Sequence, residues 1–172
     1  MKKITPYIIL FSLFISGCND SEDNEAIISN STPVVTNDIM ESNFYYNLAT
    51  QTEVDSASVW HISAQAKQVN FEGQLFGMPC IVLGNVYVQT SVYPFADLTV
   101  PPDQNSSEWF ENNSDVEYGG DWAILDYNMT THVVSVLEEI TWIIYEGVGH
   151  TTYKVQFLDY TSGIVSFQFS EL

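Results

Sequence analysis

Positive charge is what this chain has least of: Lys and Arg number 4 in 172 residues against 22 Asp and Glu, a formal charge of −18. A surface this acidic repels phosphate backbones and anionic lipid headgroups, which excludes nucleic acid as a partner. Cysteine is almost missing. Only Cys18 and Cys80 occur, too few for a disulfide scaffold. Histidine is limited to His61, His132 and His150, so any imidazole chemistry must come from these three. No apolar stripe at helical spacing runs far enough for a long helix, and Val134 to Ile140 has room for a turn or two at most. There is no His-Glu-x-x-His pair, no glycine-rich phosphate loop and no paired-cysteine metal spacing, and no Ser/His/Asp order stands out. Nothing in the chain calls for an enzyme, and no internal repeat stands out.

What is present begins with an export signal. Lys2-Lys3 precede an apolar run from Tyr7 to Ile15 that is too short to span a bilayer. The run ends in Ile15-Ser16-Gly17-Cys18, which looks like a lipobox, with Cys18 as the lipidated new N-terminus. Residues 1–17 are therefore expected to be a lipoprotein signal peptide. Their loss removes Lys2 and Lys3 and takes the formal charge from −18 to −20. Attachment to the membrane would be through the lipid anchor only, at the outer membrane and on the cell surface. Residues 18–42 are polar and poor in aromatics and read as a disordered tether. Residues 43–172 remain for one folded domain.

That domain reads as all-β, with antiparallel sheets in a sandwich-like arrangement and at most a short helix. Thr151 to Tyr160 places Tyr153, Val155 and Phe157 on one face and Lys154, Gln156 and Leu158 on the other. In the following run Val165, Phe167 and Phe169 oppose Ser166 and Gln168. Period-2 alternation of this kind marks strands with one buried face. Trp142-Ile143-Ile144-Tyr145 is a β-branched and aromatic run stopped by Glu146-Gly147-Val148-Gly149. Further strand candidates are Phe44 to Leu48, Ser58 to Ser63 and Ile81 to Val88. Ser91 to Gly120 reads as a long acidic and aromatic loop region. Cys80 lies in the apolar run Pro79 to Leu83, the setting of a buried structural thiol.

Several of these segments resemble the HmuY-like haem-binding lipoproteins. They are Phe44-Tyr45-Tyr46-Asn47-Leu48, Val59-Trp60-His61-Ile62, Asp121-Trp122-Ala123-Ile124-Leu125-Asp126-Tyr127, Thr131-His132-Val133-Val134 and Tyr153-Lys154-Val155-Gln156 with Asp159-Tyr160. The resemblance implies a haemophore-like protein that captures haem and passes it to a TonB-dependent outer-membrane receptor, without catalysis. Haem would be the cofactor, its iron held axially by imidazole or thioether donors. This chain has Trp60-His61-Ile62 where the family often has Trp-Asp-Ile, and its glycine-rich stretch is reduced to Phe71-Glu72-Gly73 and Phe76-Gly77.

His132 comes first among the axial candidates, because it lies between two strands where the family can present a ligand. His150 follows Gly149 at a hairpin end, Met129 is three residues from His132, and Met78 sits in what reads as a loop, Gly77-Met78-Pro79. A core or gap-filling role is the commoner fate of methionine. Tyr93 and Trp109 are candidates for the haem pocket, with Phe110 and Trp122 as further stacking rings. His61, alternating with Trp60 and Ile62, is expected to face outward. The acidic residues from Asp97 to Asp121 have no fixed calcium-loop spacing and read as a solvated loop rather than a metal site. A different class of function fits the same scaffold: a surface interaction module that binds a protein or glycan through its aromatic, acidic loop, without haem.

Overall fold

The computed structural model describes residues 32–91, 93–103, 105, 109–111, 124–137 and 139–172. Cys18, the expected signal peptide, Trp122 and the acidic residues Glu108, Asp115, Glu117 and Asp121 lie outside them. The fold is all-β, and no helix occurs among the described residues. Among the described residues, twelve strands form two sheets and a separate hairpin. The strands β1 (Val34–Val35), β6 (Tyr87–Ser91), β7 (Phe110–Glu111), β10 (Thr141–Glu146), β11 (Thr151–Thr161) and β12 (Ile164–Glu171) make the larger sheet, in the order β1-β12-β11-β10-β6-β7. The smaller sheet is β3-β2-β4-β5, from β2 (Phe44–Asn47), β3 (Thr52–Glu53), β4 (Ile62–Phe71) and β5 (Gln74–Leu83). The hairpin pairs β8 (Leu125–Asn128) with β9 (Val133–Val136). All the pairings are antiparallel.

The alternation in the last two strands sets the core. Phe157 pairs with Phe167, Tyr160 with Val165, and Trp142 with Val155, so these side chains share one face. They meet Phe44, Tyr46, Ile62, Ala64, Ile81 and Leu83 of the smaller sheet in a single apolar cluster. The opposite face of the larger sheet is also covered at its centre. Ile143, Gln89 and Lys154 lie side by side there, and all three are buried. The lid over them is the loop after β6, whose Phe95 and Leu98 are buried.

Four expectations shift. The packed domain starts before residue 43: Val34 pairs with Phe167, Thr36 exchanges hydrogen bonds with Val165, and Ile39 is a core residue. Residues 34–42 thus gain order from a strand edge far along the chain, which local composition does not reveal. Val133 to Val136 is strand rather than a helical turn. The strand expected from Ser58 begins only at Ile62. Met78 and Pro79 lie within β5, paired with Lys67 and Ala66, not in a loop. The proline is tolerated because β5 is the sheet edge and its missing N–H has no ladder partner to lose. Cys80 is buried, as its apolar run predicts, and burial raises its thiol pKa.

Candidate functional site

Three hairpin loops share one construction. β2 and β3, β8 and β9, and β10 and β11 are each joined by four residues, the last of them left-handed: Gln51 (φ 56°), His132 (φ 57°) and His150 (φ 57°). In the first two an asparagine at the strand end caps the turn. Asn47 Oδ1 accepts the Ala49 and Thr50 N–H groups at 2.9 and 3.0 Å, and Asn128 Oδ1 accepts those of Thr130 and Thr131 at the same distances. In the third loop that place is held by Glu146. A tyrosine precedes the capping position each time, as Tyr46, Tyr127 and Tyr145.

Where the loop ends in histidine, the phenol meets the ring. Tyr127 Oη lies 2.6 Å from His132 Nδ1, and Tyr145 Oη lies 2.6 Å from His150 Nδ1. The spacing Tyr-x4-His, present twice in the sequence, is the signal that could have found this pairing. Its chemistry follows from the tautomer. When the phenol O–H donates to Nδ1 the proton of the neutral ring sits on Nε2; when Nδ1–H donates to the phenol oxygen, Nε2 keeps its lone pair, and in both cases the ring is held at a fixed angle on an exposed histidine.

The other candidates distribute around these two tips. Met129 shares the β8–β9 loop with His132 and is 64% exposed. Trp109 packs on Tyr145 with ring centroids 5.8 Å apart, and Tyr87 does so at 6.1 Å, so His150 and Trp109 meet at one tyrosine. The Trp109 indole N–H is fixed by the Asp103 carbonyl at 2.9 Å. Met78 stands apart on β5 and half-buried. Tyr93 is 63% exposed in the loop after β6.

His61 is not outward-facing. It occupies a bend before β4 and is only 1% exposed. Its N–H donates to the Tyr46 carbonyl and its carbonyl accepts the Gly84 N–H, both at 2.9 Å. The ring accepts the Leu48 N–H at Nδ1, 3.0 Å away, which assigns the proton of the neutral ring to Nε2. That nitrogen is buried without a hydrogen-bond partner and faces Glu146 Oε2 across 3.6 Å. Burial pushes the His61 pKa down; the Glu146 carboxylate opposes this and does not win. A second proton would have to sit at Nδ1, against the Leu48 N–H.

Beside His61 lies Tyr153, with ring centroids 5.9 Å apart. Tyr153 also lines a half-open cleft of about 570 Å³ at the end of the sandwich, together with Tyr46, Leu48, Gln51, Phe169 and Glu171. The Tyr153 phenol is raised by burial and, further, by the charges of Glu146 and Glu171, against a lowering hydrogen bond from Thr151. None of His132, His150, Met129, Met78, Tyr93 or Trp109 lines this cleft. Among the described residues no group of three or more His, Cys, Asp or Glu is placed to hold a metal ion, and no helix is long and apolar enough to cross a membrane. Comparison with protein families, curated proteins and solved structures finds no match to this chain.

Proposed function

We propose that this protein binds haem without catalysis, with the hairpin-tip imidazoles His132 and His150 as iron donors. In this reading it is lipid-anchored through Cys18 at the cell surface and hands its haem to a TonB-dependent receptor. The observation that carries the reading is the duplicated tyrosine–histidine pair, with Nδ1 tied to a phenol at 2.6 Å in both loops. An imidazole ligand whose second nitrogen donates a hydrogen bond is oriented and made more basic, which is the tautomer that iron ligation through Nε2 requires of these two pairs. Each tip thus offers a donor atom of the kind that haem iron takes. Met129 would add a thioether at the His132 tip, and Tyr87, Tyr145 and Trp109 would offer flat apolar area at the His150 tip. Haem supplies the iron that binds; the chain supplies donors and their orientation.

The test is a haemin titration followed in the Soret region. A sharpened, saturable band that weakens in His132→Ala or His150→Ala is expected, and a spectrum equal to free haemin plus protein would sink the reading. The aromatic group of Tyr87, Tyr145 and Trp109 favours one second reading, an interaction module that takes a protein or glycan there. It expects an unchanged haemin spectrum and a shift of Trp109 emission with such a partner.

A further inference from the structure

Strand β5 ends the smaller sheet with backbone groups left open on its outer edge. The Gly84 N–H donates to the His61 carbonyl, and the β4–β5 register runs on without a shift from Ile62 and Leu83 to Phe71 and Gln74. Backbone groups alternate in direction along an antiparallel strand, so the even-numbered residues of β5 bond to β4. Those of Leu75, Gly77 and Pro79 point away from it, and among the described residues no strand lies there to take them. We propose that this edge pairs with the same edge of a second copy of the chain, antiparallel about a two-fold axis at Phe76.

Charge selects the partner. A chain of formal charge −18 repels its own copies over most of its surface. β5 carries no Asp, Glu, Lys or Arg, and the β4–β5 hairpin as a whole holds only Lys67 and Glu72, of opposite sign. Sheet edges are commonly guarded by charge; this one instead exposes Leu75 at 68% and Phe76 at 46%. Antiparallel pairing about Phe76 sets Met78 opposite the partner's Gln74. Lys67, the neighbour of Met78 on β4, then stands at the end where the partner's Glu72 lies, and the same holds in reverse.

Shape selects the register. With Phe76 on the axis, Leu75 of each copy faces the partner's Gly77, and each such pair exchanges both of its N–H···O=C bonds. Leu75 and Gly77 lie on the face of β5 that carries Ile81 and Leu83 into the core. Leu75 fills the space left by the partner's Gly77 and meets the partner's Met40, whose Cε is 3.6 Å from the place of a Cβ at Gly77. On the other face the two Phe76 rings meet across the axis, in the closer kind of antiparallel pair. Pro79 has no N–H to give, so the pairing stops there.

Sedimentation equilibrium of the full chain, without haemin, tests this. So small an interface predicts weak association, seen as a monomer–dimer equilibrium at up to about 1 mM protein. Phe76→Glu and Phe76→Lys each set like charges face to face on the axis and should weaken the dimer about tenfold or more. An equimolar mixture of these two variants should restore it as a heterodimer. Val59→Glu, which adds the same charge at an exposed site between β3 and β4, should leave it unchanged. A monomer at every concentration would overturn the proposal and leave the edge to a strand of another protein. Equal weakening by Val59→Glu, or a mixture that associates no better than its parts, would overturn it too. Neither haem nor the hairpin-tip histidines enter the measurement, so this proposal and the haem reading can fail separately.

Discussion

The Lys154 ammonium donates a hydrogen bond to the Phe95 carbonyl at 2.8 Å and lies 4.6 Å from the centroid of the same residue's ring. A second bond, also 2.8 Å, goes to the Leu98 carbonyl. One of the chain's 4 basic residues thus acts as a peg for a loop that crosses the outer face of the larger sheet. It is buried to 6% exposure, and burial lowers its pKa. Lys154→Met keeps the length and removes the donor, leaving two carbonyls unsatisfied. The expected loss is about 3 kcal/mol of unfolding free energy, read as a lower urea midpoint. Faster proteolytic cutting between Tyr93 and Val100 should accompany it. An unchanged midpoint would mean that the loop is held by its apolar contacts alone.

His61 makes stability depend on pH in a defined direction. Its pKa in the folded chain is below the ordinary 6.5, so between those two values the unfolded chain binds more protons than the folded one. Stability must therefore rise with pH through that window and fall as the medium is acidified below about 6.5. The groups that face the ring are the Glu146 carboxylate, the Tyr153 ring and the Leu48 N–H. Acidification also relieves the self-repulsion of a chain carrying −18, which acts the opposite way. The readout is consequently the difference between the wild type and His61→Asn, whose side-chain oxygen can accept the Leu48 N–H without titrating. Wild type should lose stability relative to the variant between pH 7.5 and 5. Parallel melting curves across that range would refute it.

Glycine 84 holds the backbone of this corner together by its lack of a side chain. A Cβ there would clash with the Trp60 carbonyl oxygen, and that contact is with backbone, which cannot rotate away. Its own N–H donates to the His61 carbonyl. Gly84→Ala should cost roughly 2–3 kcal/mol, as overpacking does. At Gly77 the nearest atom to an added Cβ is Met40 Cε at 3.6 Å, an ordinary contact, and Gly77→Ala should stay within about 0.5 kcal/mol of wild type. Chemical denaturation of the pair decides the matter, and equal effects would count against the close approach at Gly84.

How much of this was legible in the sequence depends on whether a feature is local. Val155 and Phe157, then Val165 and Phe167, alternate in plain view because one buried face imposes period two. Leu158 breaks that pattern. Phe157 pairs with Phe167 while Asp159 already pairs with Ser166, a bulge that returns Tyr160 to the core side beside Val165. Nothing local announces it. Thr36 and Ile39 sit in a polar stretch, and their order comes from Val165 and Gly163 at the other end of the chain. Alternation with Trp60 and Ile62 turns His61 outward only inside a strand, and the residue lies in a bend before one. Tyr127–His132 and Tyr145–His150 were legible as spacing, but only loop geometry makes the tyrosine a partner of the histidine.

The last prediction separates the orienting phenols from the donors themselves. If His132 and His150 bind iron through Nε2, then Tyr127 and Tyr145 hold the opposite nitrogen and act as positioning residues. Tyr127→Phe and Tyr145→Phe remove one oxygen each and keep the ring packing, Tyr145 against Tyr87 and Trp109 included. Loss of such an outer hydrogen bond typically weakens a metal site by about 10–100-fold. Because these tips are exposed and water can replace the phenol, the lower end, about tenfold, is expected for haemin. The signature of a positioning role is a weaker titration that reaches the same saturated Soret maximum, since the iron donors are unchanged. A shifted maximum would make the phenol oxygen itself a ligand. Unaltered affinity in both variants would detach the tyrosine–histidine pairs from haem altogether and leave them as a way of closing a four-residue turn.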